Sequence, residues 1–142
     1  MVRVPKPTAE ELKTIPLFAS VSRDDRALLA AGMGTVELAS GGVVIAEGQP
    51  NHAFYVVRDG ELDVNIRNER RQSLHAGAFF GEISLGRGTT ATATVVARTP
   101  STLYVLDEES FRTLMQNTDA VLRIRGAMTD REAADRLFPQ RR

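Results

Sequence analysis

Between Thr35 and Leu106 the chain breaks into short β-rich runs separated by glycine turns, and this punctuation limits the fold more than any other feature. The runs fall at 36–38, 43–46, 54–58, 62–66, 73–75, 94–97 and 103–106. Their separators include Ser40-Gly41-Gly42, Glu47-Gly48-Gln49-Pro50, Arg58-Asp59-Gly60 and Ala76-Gly77. Glycine reaches positive φ at little steric cost, so such separators reverse the chain. Asp59-Gly60 between two apolar runs is a strong hairpin signal. Many short strands at this spacing predict a β-sandwich, jelly roll or barrel.

Helical patterns flank the β region. Residues 1–34 are expected as a helical lead-in, of which 1–21 is polar with a short helical turn near Glu10 and Leu12, broken by Pro16, while Ile15, Leu17 and Phe18 dock on the core. Ser22 is placed as an N-cap, with Asp25 three residues on, for a helix through Leu28, Leu29 and Ala31 that stops near Gly32–Gly34. After the β region (35–107), Asp107 is the next cap, and Glu108 and Glu109 suit the positive end of a helix dipole. Phe111, Leu114 and Met115 share one face, and a longer helix follows with Val121, Ile124 and Met128 at helical spacing. Residues 1–142 are expected to form one mainly β domain with flanking helices, the last of them within 108–142.

Charge and residue inventory exclude several chemistries. Eighteen basic residues balance eighteen acidic ones, so no net field draws the chain to nucleic acid or an anionic membrane. There is no cysteine, which removes disulfides and thiolate metal sites and fits a cytoplasmic setting. No apolar h-region follows the N-terminus, and no run approaches the ~18 apolar residues of a membrane span. The two histidines, His52 and His75, lie far apart without a neighbouring ligand pattern, so no metal site is expected. No serine sits in a nucleophile elbow. Glu61 and Asp63 alternate on one strand face, which exposed charges explain without catalysis. A binder is expected, with no catalytic residue and no cofactor beyond its ligand.

The segment Phe79-Phe80-Gly81-Glu82-Ile83-Ser84-Leu85 carries the binding chemistry. Gly81 lets backbone approach a ligand closely, and Glu82 accepts hydrogen bonds from a ribose hydroxyl. A single helical turn over 83–85 would aim free N–H groups at an anion. The competing reading is a bulged turn, with Glu82 pairing a surface arginine.

Phe54-Tyr55-Val56-Val57-Arg58-Asp59-Gly60-Glu61-Leu62-Asp63-Val64, then Gly77-Ala78-Phe79-Phe80-Gly81-Glu82-Ile83-Ser84-Leu85, then Ala93-Thr94-Val95-Val96-Ala97, closely resemble the cyclic nucleotide-binding domain family. Ile15-Pro16-Leu17-Phe18 and Val44-Ile45-Ala46-Glu47-Gly48 resemble its entry helix and first turn, so the likeness covers roughly residues 12–130. The resemblance implies an eight-stranded β-roll with helices at both ends, holding cAMP or cGMP in a phosphate-binding cassette. It places ligand contacts at Val64, Phe80, Gly81, Glu82, Ile83, Ser84, Ala91, Thr92 and Ala93. Gly81, Ile83 and Ser84 match donors to the phosphate region, Glu82 matches the ribose ligand, and Val64 packs near the base. Thr92 matches a small position that reaches the phosphate or the base.

One position departs from the family pattern. The family carries an arginine three residues before the Thr94-Val95 pair, and this chain has Ala91. That arginine meets the cyclic phosphate with a bidentate fork, so its absence removes the formal positive charge. Ala91 is expected at a solvated pocket mouth, where the change removes no core volume. Arg87, between two glycines, is the nearest substitute, with a solvated loop residue as its plainer reading.

The resemblance also makes the final helix a lid, near Arg123 and Arg125, that passes the signal onward. Only a few residues follow Leu137, so an isolated sensor domain is expected, single or excised from a longer chain. The alternative is a ligand-silent β-roll that docks a protein partner or forms a homodimer through its C-terminal helices.

Overall fold

The computed structural model describes residues 6–50, 53–81 and 90–137, and of 128–137 the backbone alone. Three helices come first: α1 (Ala9–Lys13), α2 (Pro16–Ala19) and α3 (Arg23–Gly32). The Thr8 hydroxyl accepts from the Glu11 N–H at 3.2 Å, and the Ser22 hydroxyl accepts from the Asp25 N–H at 3.1 Å. Each satisfies a donor that a helix start leaves unpaired. Pro16 does more than break the first turn. It opens α2, where its missing N–H costs nothing.

Eight strands follow among the described residues, in two four-stranded antiparallel sheets. They are β1 (Gly34–Leu38), β2 (Val43–Ile45), β3 (Phe54–Asp59), β4 (Leu62–Ile66), β5 (Glu69–Leu74), β6 (Phe79–Phe80), β7 (Thr94–Ala97) and β8 (Ser101–Leu106). One sheet runs β1-β8-β3-β6 and the other β2-β7-β4-β5. The protein is thus mainly β with flanking helices, as its turn punctuation predicts.

Two local expectations need correction. Asp59-Gly60 does not close a hairpin, because β3 and β4 belong to different sheets. Gly60 still has φ 96°, and a Cβ there would lie 2.6 Å from the Ser101 Cα, so the crossing requires glycine. The tight hairpin is β4–β5, turned by Arg67 and Asn68 at φ 53° and 66°. Two positive φ values match a type I′ turn, but Arg-Asn lacks the usual glycine signal. Strand β5 also starts earlier than 73, since Glu69, Arg70 and Gln72 are exposed on an edge strand. Charges there protect an edge, and they hide the strand from an apolar search.

The helices α4 (Glu108–Leu114) and α5 (Thr118–Leu137) close the fold. The Asp107 carboxylate accepts from the Ser110 N–H at 2.8 Å, and the Asn117 side-chain oxygen accepts from the Ala120 N–H at 2.9 Å. The Asn117 amide also donates to the Ser20 carbonyl at 3.1 Å, which ties the start of α5 to the end of α2. No helix among the described residues is long and apolar enough to cross a membrane.

Apolar residues bury in two clusters on opposite faces of the β3/β8 pair. Phe54, Val56, Tyr104 and Leu106 face the helices and meet Leu12, Phe18, Met33, Leu114 and Ile124. Val57 and Leu103 face the other sheet and meet Ile45, Leu62, Leu74, Phe80, Ala91 and Val95. Burial on both faces explains why β3 reads as an unbroken apolar run, Phe-Tyr-Val-Val.

Candidate functional site

The inter-sheet cluster brings together Val64, Phe80 and Ala91 of the expected site. Phe80 on β6 is buried and stacks on Tyr55 of β3, with ring centroids 5.0 Å apart and planes 13° from parallel. Their backbones pair across the ladder, which places the rings side by side. Partial burial raises the Tyr55 phenol above its ordinary value. Gly81 follows with φ 94°, a conformation that side chains rarely adopt, so glycine is required there. Val64 on β4 is half-buried, packs against the same cluster, and sits opposite Val95 on β7 and Gln72 on β5. Glu82, Ile83, Ser84 and Arg87 lie outside the described residues.

Ala91 differs from expectation. It is only 5% exposed and packs among the apolar side chains of the inter-sheet cluster, not at a solvated mouth. Its N–H donates to the Gln49 carbonyl, and its carbonyl accepts from the Gly48 N–H, both at 2.9 Å. A bridge between Pro50 and Thr90 continues this pairing. The turn Glu47-Gly48-Gln49-Pro50 therefore holds residue 91 by its backbone and directs its side chain inward. Sequence punctuation marked that turn but gave no sign of its partner. Beyond it, Thr92 is exposed and Ala93 half-buried.

The expected lid arginines occupy the outer side of α5. Arg123 and Arg125 are exposed, while Ile124 between them is buried. The Arg123 Nε donates to the Asp119 carboxylate at 2.8 Å, one helical turn away. That hydrogen bond holds the Asp119 carboxyl below the usual carboxylate range.

Glu61 and Asp63 do share a partner. Arg98, just past β7, donates to Asp63, lies 3.5 Å from Glu61, and donates to the Ser73 hydroxyl at 2.8 Å. The Arg98 hydrogen bond holds the Asp63 carboxyl below its ordinary value. His75 Nδ1 stands 3.6 Å from Glu61. This network knits β4, β5 and the end of β7 on the face opposite Leu62, away from the apolar interior.

Comparison with known proteins agrees with this geometry. A curated relative, a cAMP-dependent protein kinase regulatory subunit from Hypocrea atroviridis, is 30% identical over 132 residues, covering 91% of this chain and 29% of the relative. The chain thus spans under a third of that relative's length. The solved structure of cAMP-bound PfPKA-R (141–441) superposes with a TM-score of 0.85 at 18% identity, covering 94% of this chain and 46% of that one. The regulatory subunit of a cAMP-independent protein kinase A from Trypanosoma cruzi, bound to guanosine, gives 0.72 at 20% identity, covering 81% and 43%. These structural likenesses are of fold. The model of the cyclic nucleotide-binding domain matches residues 35–118, from β1 to the first residue of α5, so the chain belongs to the cyclic nucleotide-binding domain family.

Proposed function

We propose that this domain is a regulatory sensor that takes its ligand between the two sheets, binds cyclic nucleotides weakly, and signals through α5. In this reading Gly81, Ile83 and Ser84 donate to the phosphate region, Glu82 accepts from the ribose, and Val64 and Phe80 flank the base. Thr92 and Ala93 line the exit of the cassette. The observation that carries the weakness is Ala91: it is neutral, buried among apolar side chains and committed through both backbone groups to Gly48 and Gln49. Family membership and the regulatory-subunit relatives support a cyclic nucleotide ligand and a protein partner. No catalytic role is assigned to any residue.

A charge-assisted hydrogen bond contributes about 1.5–3 kcal/mol, and losing one partner of a buried charged pair costs about 2–5 kcal/mol. Cyclic nucleotide affinity should therefore fall roughly tenfold to a few thousandfold below that of an arginine-bearing cassette. Calorimetry with cAMP and cGMP on this chain and on Ala91→Arg tests the reading. Binding that strengthens in the variant supports it. Absence of binding to both proteins at millimolar nucleotide would leave the ligand-silent docking module in its place.

A further inference from the structure

We infer that Glu47 is a positioning residue: through one side-chain hydrogen bond it makes the β4–β5 hairpin hold the backbone at residues 90 and 91. Its effect on ligand affinity rests on the sensor reading above, whereas its effect on that backbone does not.

The turn from Ala46 to Pro50 is exposed at every residue, so burial does not fix it. A Cβ at Gly48, φ 84°, would meet nothing within 4 Å. Hydrogen bonds therefore set its place. The Gln49 N–H donates to the Ala46 carbonyl at 3.0 Å, which closes the turn on itself. Outward, the Gly48 N–H and the Gln49 carbonyl both bond the Ala91 backbone at 2.9 Å. A turn that drifts must carry residue 91 with it or break these bonds.

Two bonds from Glu47 oppose that drift. Its N–H donates to the Thr94 hydroxyl at 3.0 Å, and its carboxylate accepts from the Arg67 N–H at 3.0 Å. Thr94 opens β7, just past Ala91, so the first bond only ties the turn to the stretch it holds. Arg67 belongs to a different strand pair. It sits at φ 53° in the β4–β5 turn, next to Ile66, which pairs with Glu69 at the end of that ladder. The hairpin is fixed by its own cross-strand pairs, and the Glu47 carboxylate hooks the exposed turn onto it. Val64 lies on the same strand β4. One strand thus carries a base contact of the proposed site directly and steadies residue 91 through Glu47. The hook needs an acceptor oxygen, which a glutamine side chain also supplies and an alanine does not.

Exchange of single amides, followed by NMR on the ligand-free chain, tests the hook. Glu47→Ala should speed exchange at Gly48 and Ala91 roughly two- to tenfold, the loss of one hydrogen bond's net contribution. Amides in the β3–β8 ladder should keep their parent rates, and Glu47→Gln should keep parent rates throughout. Unchanged rates at Gly48 and Ala91 in Glu47→Ala, or rates raised equally across the chain, overturn the inference. Calorimetry with cAMP and cGMP on Ala91→Arg then reads the ligand. Adding Glu47→Ala should weaken binding roughly two- to tenfold, and adding Glu47→Gln should not weaken it. Stronger binding with Glu47→Ala would mean that the carboxylate repels the phosphate, which overturns the positioning role in binding. Exchange that responds as expected while no variant binds either nucleotide leaves the hook standing and removes the sensor reading. Should Ala91→Arg fail to fold, the exchange rates decide alone.

Discussion

The two apolar clusters share the β3/β8 pair but are built for different ends. Under the helices, Leu12, Phe18, Met33, Phe54, Leu106 and Leu114 are fully buried, and Phe54 meets Phe79 and Phe111 at 5.8 and 4.9 Å between centroids. Between the sheets, the buried residues are rimmed by partly buried Leu38, Val44, Tyr55, Val64 and Ala78. The first is packed around these aromatic rings, as a stability core should be. The second contains Phe80 and Ala91 with Val64 packed against it, and in the proposed reading a base and sugar pack there too. In the proposed reading, one face of the strand pair holds the fold together and the other also meets a ligand.

The largest expected difference comes from truncation. Phe54→Ala should destabilise the protein by about 3–5 kcal/mol in denaturant unfolding, because it removes a fully buried ring that packs on Phe79 and Phe111. Val64→Ala should cost about 1 kcal/mol or less, since the side chain is already half-open, and should instead alter ligand affinity. Equal losses at the two positions would break the distinction. Next, Ala91→Arg should lower stability by about 1–3 kcal/mol, the usual cost of forcing volume into a packed cluster. Chemical unfolding without ligand measures this directly, and saturating cyclic nucleotide should return part of the loss by linkage.

The smallest effect lies outside both clusters, in the Arg98 network. The Asp63 carboxyl is held low chiefly by the Arg98 hydrogen bond, so the unfolded chain binds its proton more readily than the folded one. Its stabilisation is fully present above the unfolded pKa of about 4 and is lost as pH falls through the lower folded value. Asp63→Asn should therefore be slightly less stable than the parent at neutral pH, with the gap closing in acid. A gap that persists at the lowest pH would assign the role of Asp63 to packing.

Much of the fold was legible because its signals are local. Ser22 and Asp107 cap their helices as read, and runs 62–66 and 94–97 coincide with β4 and β7. The misses have one cause. Arg67-Asn68 turns the hairpin without glycine, and β5 begins on charged residues, so each depends on partners that local composition does not name. Phe79–Phe80 is likewise a two-residue strand made by its pairing with Tyr55 and Val56.

The candidate site divides along the same line. Sequence alone pointed to the family, to Gly81 as a place of close backbone approach and to alanine where the family pattern carries arginine, because residue identity is written locally. Only the tertiary structure decided that Ala91 points inward, since its direction is set by hydrogen bonds to Gly48 and Gln49 from the turn after β2. Likewise, only sheet assignment made Asp59-Gly60 a crossing between layers. Long-range pairing chooses which face a residue joins, and here that choice places Ala91 in the apolar interior between the sheets.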